Sequence, residues 1–185
     1  MGRADWLDRP NMEHVLAALM PPNRLALECC MASKLRISDV LELKTEPLRR
    51  GQRMTVRELK TGKTRRVYWP LELYERMLAQ AGRVWVFEGR LDWRRHRTRS
   101  AVYKDLVRAA RLFRASGVVP AGAQITTHTA RKIGAVEEFR RTGDLGKVAA
   151  ALNHDGDHRE VTMLYALADE LTRRKLAGAG RKKRR

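Results

Sequence analysis

Apolar residues recur at helical spacing in two early runs, Met12 to Met20 and Arg24 to Ala32, with Pro21-Pro22 read as a break between them. A third helical run begins at Ser38 and continues through Val40, Leu41 and Leu43. From Arg53 to Trp69 the period shortens to near two. Met54, Val56 and Leu59 precede a Thr61-Gly62 turn, and Val67 and Trp69 follow it, so this stretch predicts a β-hairpin. Helical spacing returns at Leu71 to Gln80, Ser100 to Ala115, His128 to Arg141, Leu145 to Ala151 and in a stretch starting near Arg159. The predicted fold class is mainly α with one small hairpin, an α+β arrangement. No internal repeat interrupts it.

A chain of 185 residues with 43% hydrophobic content fits one domain with a sizeable core. Its charge is unusual. A formal net charge of +18 and a pI near 11.0 imply self-repulsion that a polyanion relieves, and nucleic acid is the commonest such partner. No apolar run reaches the length of a spanning helix and no cleavable signal pattern opens the chain, so a membrane partner is not expected and a cytoplasmic, nucleoid-associated location is. Cys29 and Cys30 lie in an apolar stretch with no spaced partners, which predicts reduced core thiols. Residues 90–99 set Trp93 and His96 among arginines that include Arg94, Arg95, Arg97 and Arg99, a composition suited to a loop facing a DNA backbone. The stretch 178–185 has no long apolar side chain and predicts a disordered basic tail.

Six scattered residues carry the candidate chemistry: Arg36, Lys60, His128, Arg131, His154 and Tyr165. A phosphodiester under attack needs cations around its oxygens, a proton donor for the leaving oxygen and a nucleophile, and this set supplies all three. Arginine gives phosphate two parallel hydrogen bonds and stays charged at any working pH. Tyrosine, with a free pKa of about 10, needs neighbouring cations or a base to lose its proton. Singly, each residue has an ordinary reading: surface arginine, turn lysine, helix-capping histidine, core tyrosine. A metal site at His154 and His158 is disfavoured by the Asp155-Gly156-Asp157 breaker between them.

The phrases around these residues resemble the tyrosine recombinase (phage integrase) family over about Asn11 to Leu171. LRISDVLELK, Leu35 to Lys44, is similar to the family's first arginine box, with Arg36 catalytic and Asp39 supporting. ELKTGKTRRVYWP, Glu58 to Pro70, is similar to the hairpin that carries a catalytic lysine, here Lys60. THTARK, Thr127 to Lys132, matches the His-x-x-Arg box with His128 and Arg131, and LNHDGDHREVTMLYALAD, Leu152 to Asp169, matches His154 and the nucleophile Tyr165. His154 and Tyr165 stand eleven positions apart, two more than the family usually shows. The extra residues at 155–158 predict a lengthened loop and leave His158 as an alternative to His154.

The resemblance implies a tyrosine recombinase catalytic-domain fold over residues 11–177, with 1–10 as a short extension and no core-binding domain ahead of it. It implies site-specific DNA cleavage and rejoining through a 3′-phosphotyrosine, with no metal and no cofactor. Double-stranded DNA is the expected partner, contacted also by Arg65, Arg94, Arg95, Arg97, Arg99 and Lys132. A homo-oligomer on DNA is expected, with an accessory DNA-binding protein a further possible partner. The competing readings are an idle DNA-binding regulatory module of the same fold, and a type IB topoisomerase-like enzyme that relaxes supercoils.

Overall fold

The computed structural model describes residues 4–154 and 159–182. Its centre is the helix α2 (Pro21–Ser33), whose Leu25, Ala26, Leu27, Cys29, Cys30 and Met31 are all buried. The Arg24–Glu28 face of the helix stays partly open, and its apolar remainder is enclosed by the rest of the protein. Pro21 and Pro22, read in the sequence as a break, instead form the first turn of α2, where a missing backbone N–H costs nothing. The preceding helix α1 (Arg9–Ala17) is capped by Asp8, whose carboxylate accepts from the Asn11 N–H at 2.8 Å. Cys29 and Cys30 are free and enclosed, and burial raises both thiol pKa values, which keeps them unreactive.

After α2 the chain turns through Lys34 in the left-handed region (φ 57°) into two short helices, α3 (Ile37–Leu41) and α4 (Thr45–Arg49). The second has no counterpart in the sequence reading, because one turn containing Pro47 leaves no periodic signal. The hairpin follows as β1 (Arg53–Arg57) and β2 (Thr64–Tyr68), antiparallel with Met54 opposite Val67 and Val56 opposite Arg65. Met54, Val56 and Val67 face the core, and Trp69 beyond β2 is fully buried. Residues 58–63 join the strands. Glu58 N–H donates to the Lys63 carbonyl and Gly62 N–H to the Glu58 carbonyl, both at 2.8 Å, with Gly62 at φ +69° where a side chain would strain.

The helices α5 (Leu71–Gln80) and α6 (Arg99–Leu112) flank an irregular segment that buries Val86 and Phe87. Thr126 caps α7 (Thr127–Thr142) by accepting from the His128 N–H at 3.2 Å, and Gly143 ends it at φ +65°. α7 crosses α2 so closely that a Cβ on Gly134 would lie 2.1 Å from the Met31 carbonyl oxygen. The remaining helices, α8 (Leu145–Leu152), α9 (Arg159–Ala166) and α10 (Ala168–Lys182), pack beside α7. Ala135, Val148, Leu152 and Ala166 form a small second core there.

Two expectations about the chain ends change. Residues 4–8 are not a loose extension: Leu7 is buried in the core, Asp5 N–H donates to the Gln124 carbonyl, and Trp6 N–H donates to Thr172 Oγ1. The sequence pattern missed this because a single buried leucine has no periodicity. The predicted tail is helical in backbone as far as Lys182, since α10 runs through 178–182. The rest of that tail and the expected loop at 155–158, with His158, lie outside the described residues.

Candidate active site

Arg36, Lys60, His128, Arg131, His154 and Tyr165 all line one open cavity of about 490 Å³, together with Arg99. They arrive from five parts of the fold. Arg36 sits at the N-cap of α3 and its N–H donates to Asp39 Oδ2 at 3.2 Å, so the acid in the first turn fixes the backbone entering the helix. His128 and Arg131 project from the first two turns of α7, three residues apart on one face. Tyr165 comes from the end of α9, and His154 follows the C-cap of α8. Lys60 stands on the 58–63 loop and is exposed.

Beneath the cavity lies a charge cluster. The Glu58 carboxylate is fully buried and hydrogen-bonds Arg36 Nη1, while its other oxygen lies 3.5 Å from Arg65 Nε. Asp39, 1% exposed, accepts from the Leu59 N–H at 3.0 Å through Oδ1 and lies 4.0 Å from Arg36 Nη1 through Oδ2. Three guanidinium groups, of Arg36, Arg65 and Arg131, therefore face two carboxylates, of Asp39 and Glu58, and one positive charge is left over. Arg131 is 1% exposed; its Nη2 donates to the Leu152 carbonyl at 2.9 Å, but Nε and Nη1 are buried without a hydrogen-bond partner among the described residues. Burial lowers the Arg131 pKa, and the nearby Tyr165 hydroxyl group works the other way. Stranded buried donors of this kind cost about 1–3 kcal/mol each, which an incoming anion would recover.

The nucleophile candidate is well placed for deprotonation. Tyr165 Oη is 3.5 Å from His128 Nδ1, and the Tyr165 ring lies 5.6 Å from the Arg131 guanidinium carbon. The His128 pKa is lowered, first by burial and then by Arg99, Arg131, Arg36 and Lys132, so its imidazole stays neutral and able to accept a proton. His154 Nδ1 is 3.0 Å from Thr162 Oγ1, one turn before Tyr165 on α9, and its ring meets the tyrosine ring edge-on at 6.1 Å.

The residues expected to touch DNA divide. Arg94, Arg95 and Arg99 are exposed. Arg94 and Arg83 flank the Trp93 ring, with guanidinium carbons 4.6 and 5.4 Å from its centre. Arg97 is half-buried with its Nε enclosed, and burial lowers its pKa. Lys132 turns inward, donating to the Ala4 carbonyl at 2.6 Å. Arg65 is likewise drawn into the fold: its guanidinium donates to Ser33 O at 2.6 Å and to Ala151 O, and desolvation pulls its pKa down to about 10. Strand parity explains the last case, because 65, 67 and 69 share the inward face. The same rule exposes the residue that sequence reasoning missed: Glu58 continues the inward series of Met54 and Val56, and a carboxylate at a core parity signals a buried partner.

The sequence profile of the Phage integrase family matches residues 5–171. A probable integrase/recombinase of Bacillus subtilis (strain 168), YoeC, is 29% identical over 146 residues, 77% of this chain and 75% of that protein. Among solved structures, a lambda integrase dimer bound to a COC' core site superimposes with a TM-score of 0.74 at 19% identity, over 90% of this chain and 49% of that one. XerA recombinase gives 0.69 at 16%, over 97% and 66%, and the catalytic domain of bacteriophage HP1 integrase gives 0.62 at 21%, over 90% and 89%. At these identities the structural likeness is one of fold. The chain spans about half of the lambda integrase chain and most of the HP1 catalytic domain. With its fold shared by these recombinases and its profile match running over nearly all of its length, the chain belongs to the phage integrase family.

Proposed function

We propose that this chain cleaves and rejoins double-stranded DNA at specific sites through a 3′-phosphotyrosine on Tyr165, and that residues 4–177 are its catalytic domain. The observation that carries the reading is the cavity itself. Six residues from five parts of the fold converge on it over a cluster with one unmatched positive charge and two stranded Arg131 donors. A phosphodiester brings one negative charge and acceptor oxygens, the complement of that deficit.

In the proposed step, Tyr165 Oη bonds to phosphorus and its proton passes to His128 Nδ1. The bond from phosphorus to the 5′ oxygen breaks, and Lys60 gives that oxygen a proton. Arg36, Arg131 and His154 hold the non-bridging oxygens while charge builds on them. Rejoining is the same sequence reversed, with a 5′ hydroxyl as nucleophile, so no nucleotide energy is consumed. The exposed Arg94, Arg95 and Arg99 contact the backbone beyond the scissile phosphate. Because the lambda integrase relative is a dimer on its core site, we further propose that protomers of this chain pair on DNA.

The test is covalent capture. Wild-type protein is incubated with a supercoiled plasmid library, quenched with detergent, and the attached DNA is sequenced. Recurrent sites joined to wild type and absent with Tyr165→Phe are expected; adducts persisting in Tyr165→Phe would refute the nucleophile.

A further inference from the structure

We propose that Glu58 is a positioning residue that sets Lys60 and Arg36 in one frame, so that the proton donor and the phosphate-binding arginine are aligned together. This rests on the roles assigned above to those two residues.

The geometry makes Glu58 the joint between them. Its side chain, fully buried, holds Arg36 Nη1. Its backbone closes the loop on which Lys60 rides, donating to the Lys63 carbonyl and accepting from the Gly62 N–H, each at 2.8 Å. The next residue, Leu59, is tied by its N–H to Asp39 on α3, the helix that begins at Arg36. The loop and α3 are thus fastened at two adjacent residues, and Lys60 is the first residue beyond the fastening. Arg65 on the opposite strand completes the joint, lying 3.5 Å from the same carboxylate and donating to Ser33 O at the end of α2 and Ala151 O near the end of α8. Glu58 itself is absent from the cavity lining, which holds Arg36, Leu59 and Lys60. Glu58 therefore acts through its neighbours. Without its carboxylate, a flexible lysine on a six-residue loop loses the anchor that fixes where its stem begins.

Leaving-group chemistry separates this role from a general loosening of the fold. A 5′ oxygen must be protonated as it departs, whereas a 5′ sulfur leaves as a thiolate at neutral pH, because thiols ionise near 8.5. Duplexes are built on a sequence captured with wild-type protein, one with the normal 5′ oxygen at the scissile bond and one with bridging sulfur. Adduct formation is timed for wild type, Lys60→Ala, Glu58→Ala and Glu58→Gln. Lys60→Ala is expected to lose activity on oxygen and recover on sulfur. Glu58→Ala is expected to fall about a hundredfold on oxygen, the scale for a small misplacement of a catalytic group, and to shift its sulfur-to-oxygen ratio in the same direction as Lys60→Ala. Glu58→Gln keeps the shape and one acceptor, folds where the alanine variant does not, and is expected to show a smaller shift of the same sign. A sulfur-to-oxygen ratio equal to wild type in whichever Glu58 variants fold overturns the proposal, since a merely structural role lowers both rates together. If Lys60→Ala itself shows no shift, the acid assignment fails and the positioning role goes with it. If wild type forms no adduct at all, the recombinase reading fails first.

Discussion

Replacing Arg131 with Met is expected to abolish cleavage and leave the protein about as stable as the parent. Two buried donors of Arg131 have no partner among the described residues, and at about 1–3 kcal/mol each their burial disfavours the fold by about 4 kcal/mol. Against this stand one charge-assisted bond to the Leu152 carbonyl, worth about 2 kcal/mol, and the desolvated guanidinium beside the Tyr165 ring, worth up to about 2 kcal/mol. Attraction to Asp39 and Glu58 is offset by repulsion from Arg36, all three acting on the Arg131 charge. The balance is close to zero for Met, which fills similar volume and leaves Tm within about 2–4 °C of the parent in a domain of this size. An ordinary buried arginine with a matched partner would instead lose about 3–5 kcal/mol on removal. Urea unfolding followed by tryptophan fluorescence in an anion-poor buffer distinguishes a near-zero change from that loss, and added inorganic phosphate should stabilise wild type more than the variant. A loss of 3 kcal/mol in Arg131→Met would refute the claim that its charge is unmatched.

Arg36→Ala should lower adduct formation by about a hundredfold or more, the scale for losing a preorganised charge contact, with near-normal rates demoting it to a structural arginine. Gly134→Ala should destabilise by about 1–3 kcal/mol despite alanine's better helix propensity, because its Cβ would sit 2.1 Å from the Met31 carbonyl oxygen; an unchanged urea midpoint would show that α2 and α7 separate easily. His128 has a lowered pKa in the fold, so below about pH 6.5 the unfolded chain takes up a proton that the folded one resists, and stability falls as pH drops through that window. His128→Gln should flatten this part of the pH–stability curve, and an unaltered curve would show that the histidine is not held neutral.

Much of the fold was legible because long helices and the hairpin carry periodic patterns, and the six candidate residues were legible because each lies in a distinctive phrase. Their convergence in one cavity depends on tertiary packing that no local pattern encodes. Lys132 and Arg65 show the limit: both are basic residues beside the site, but one is drawn to the Ala4 carbonyl and the other beneath the hairpin. For Arg65 and Glu58 the parity of the strands held the information. A charged residue at a core parity was overlooked because charge suggested the surface. α4 and the docking of Leu7 left no trace, since a five-residue helix and an isolated apolar side chain fall below any periodic signal.

The fastening of residues 4–7 bears on how the chain is made. Asp5 binds Gln124 through backbone and side chain and takes Lys175 Nζ at 2.6 Å, while Trp6 N–H reaches Thr172. These partners are synthesised 119 to 170 residues later. During translation Asp5 and Trp6 cannot make these contacts until residues 124, 172 and 175 have left the ribosome. Contacts this distant along the chain close slowly, because loop entropy is lost before any contact repays it. The clasp made by Asp5 and Trp6 therefore closes late in the folding of this domain, after the elements that it joins have been made.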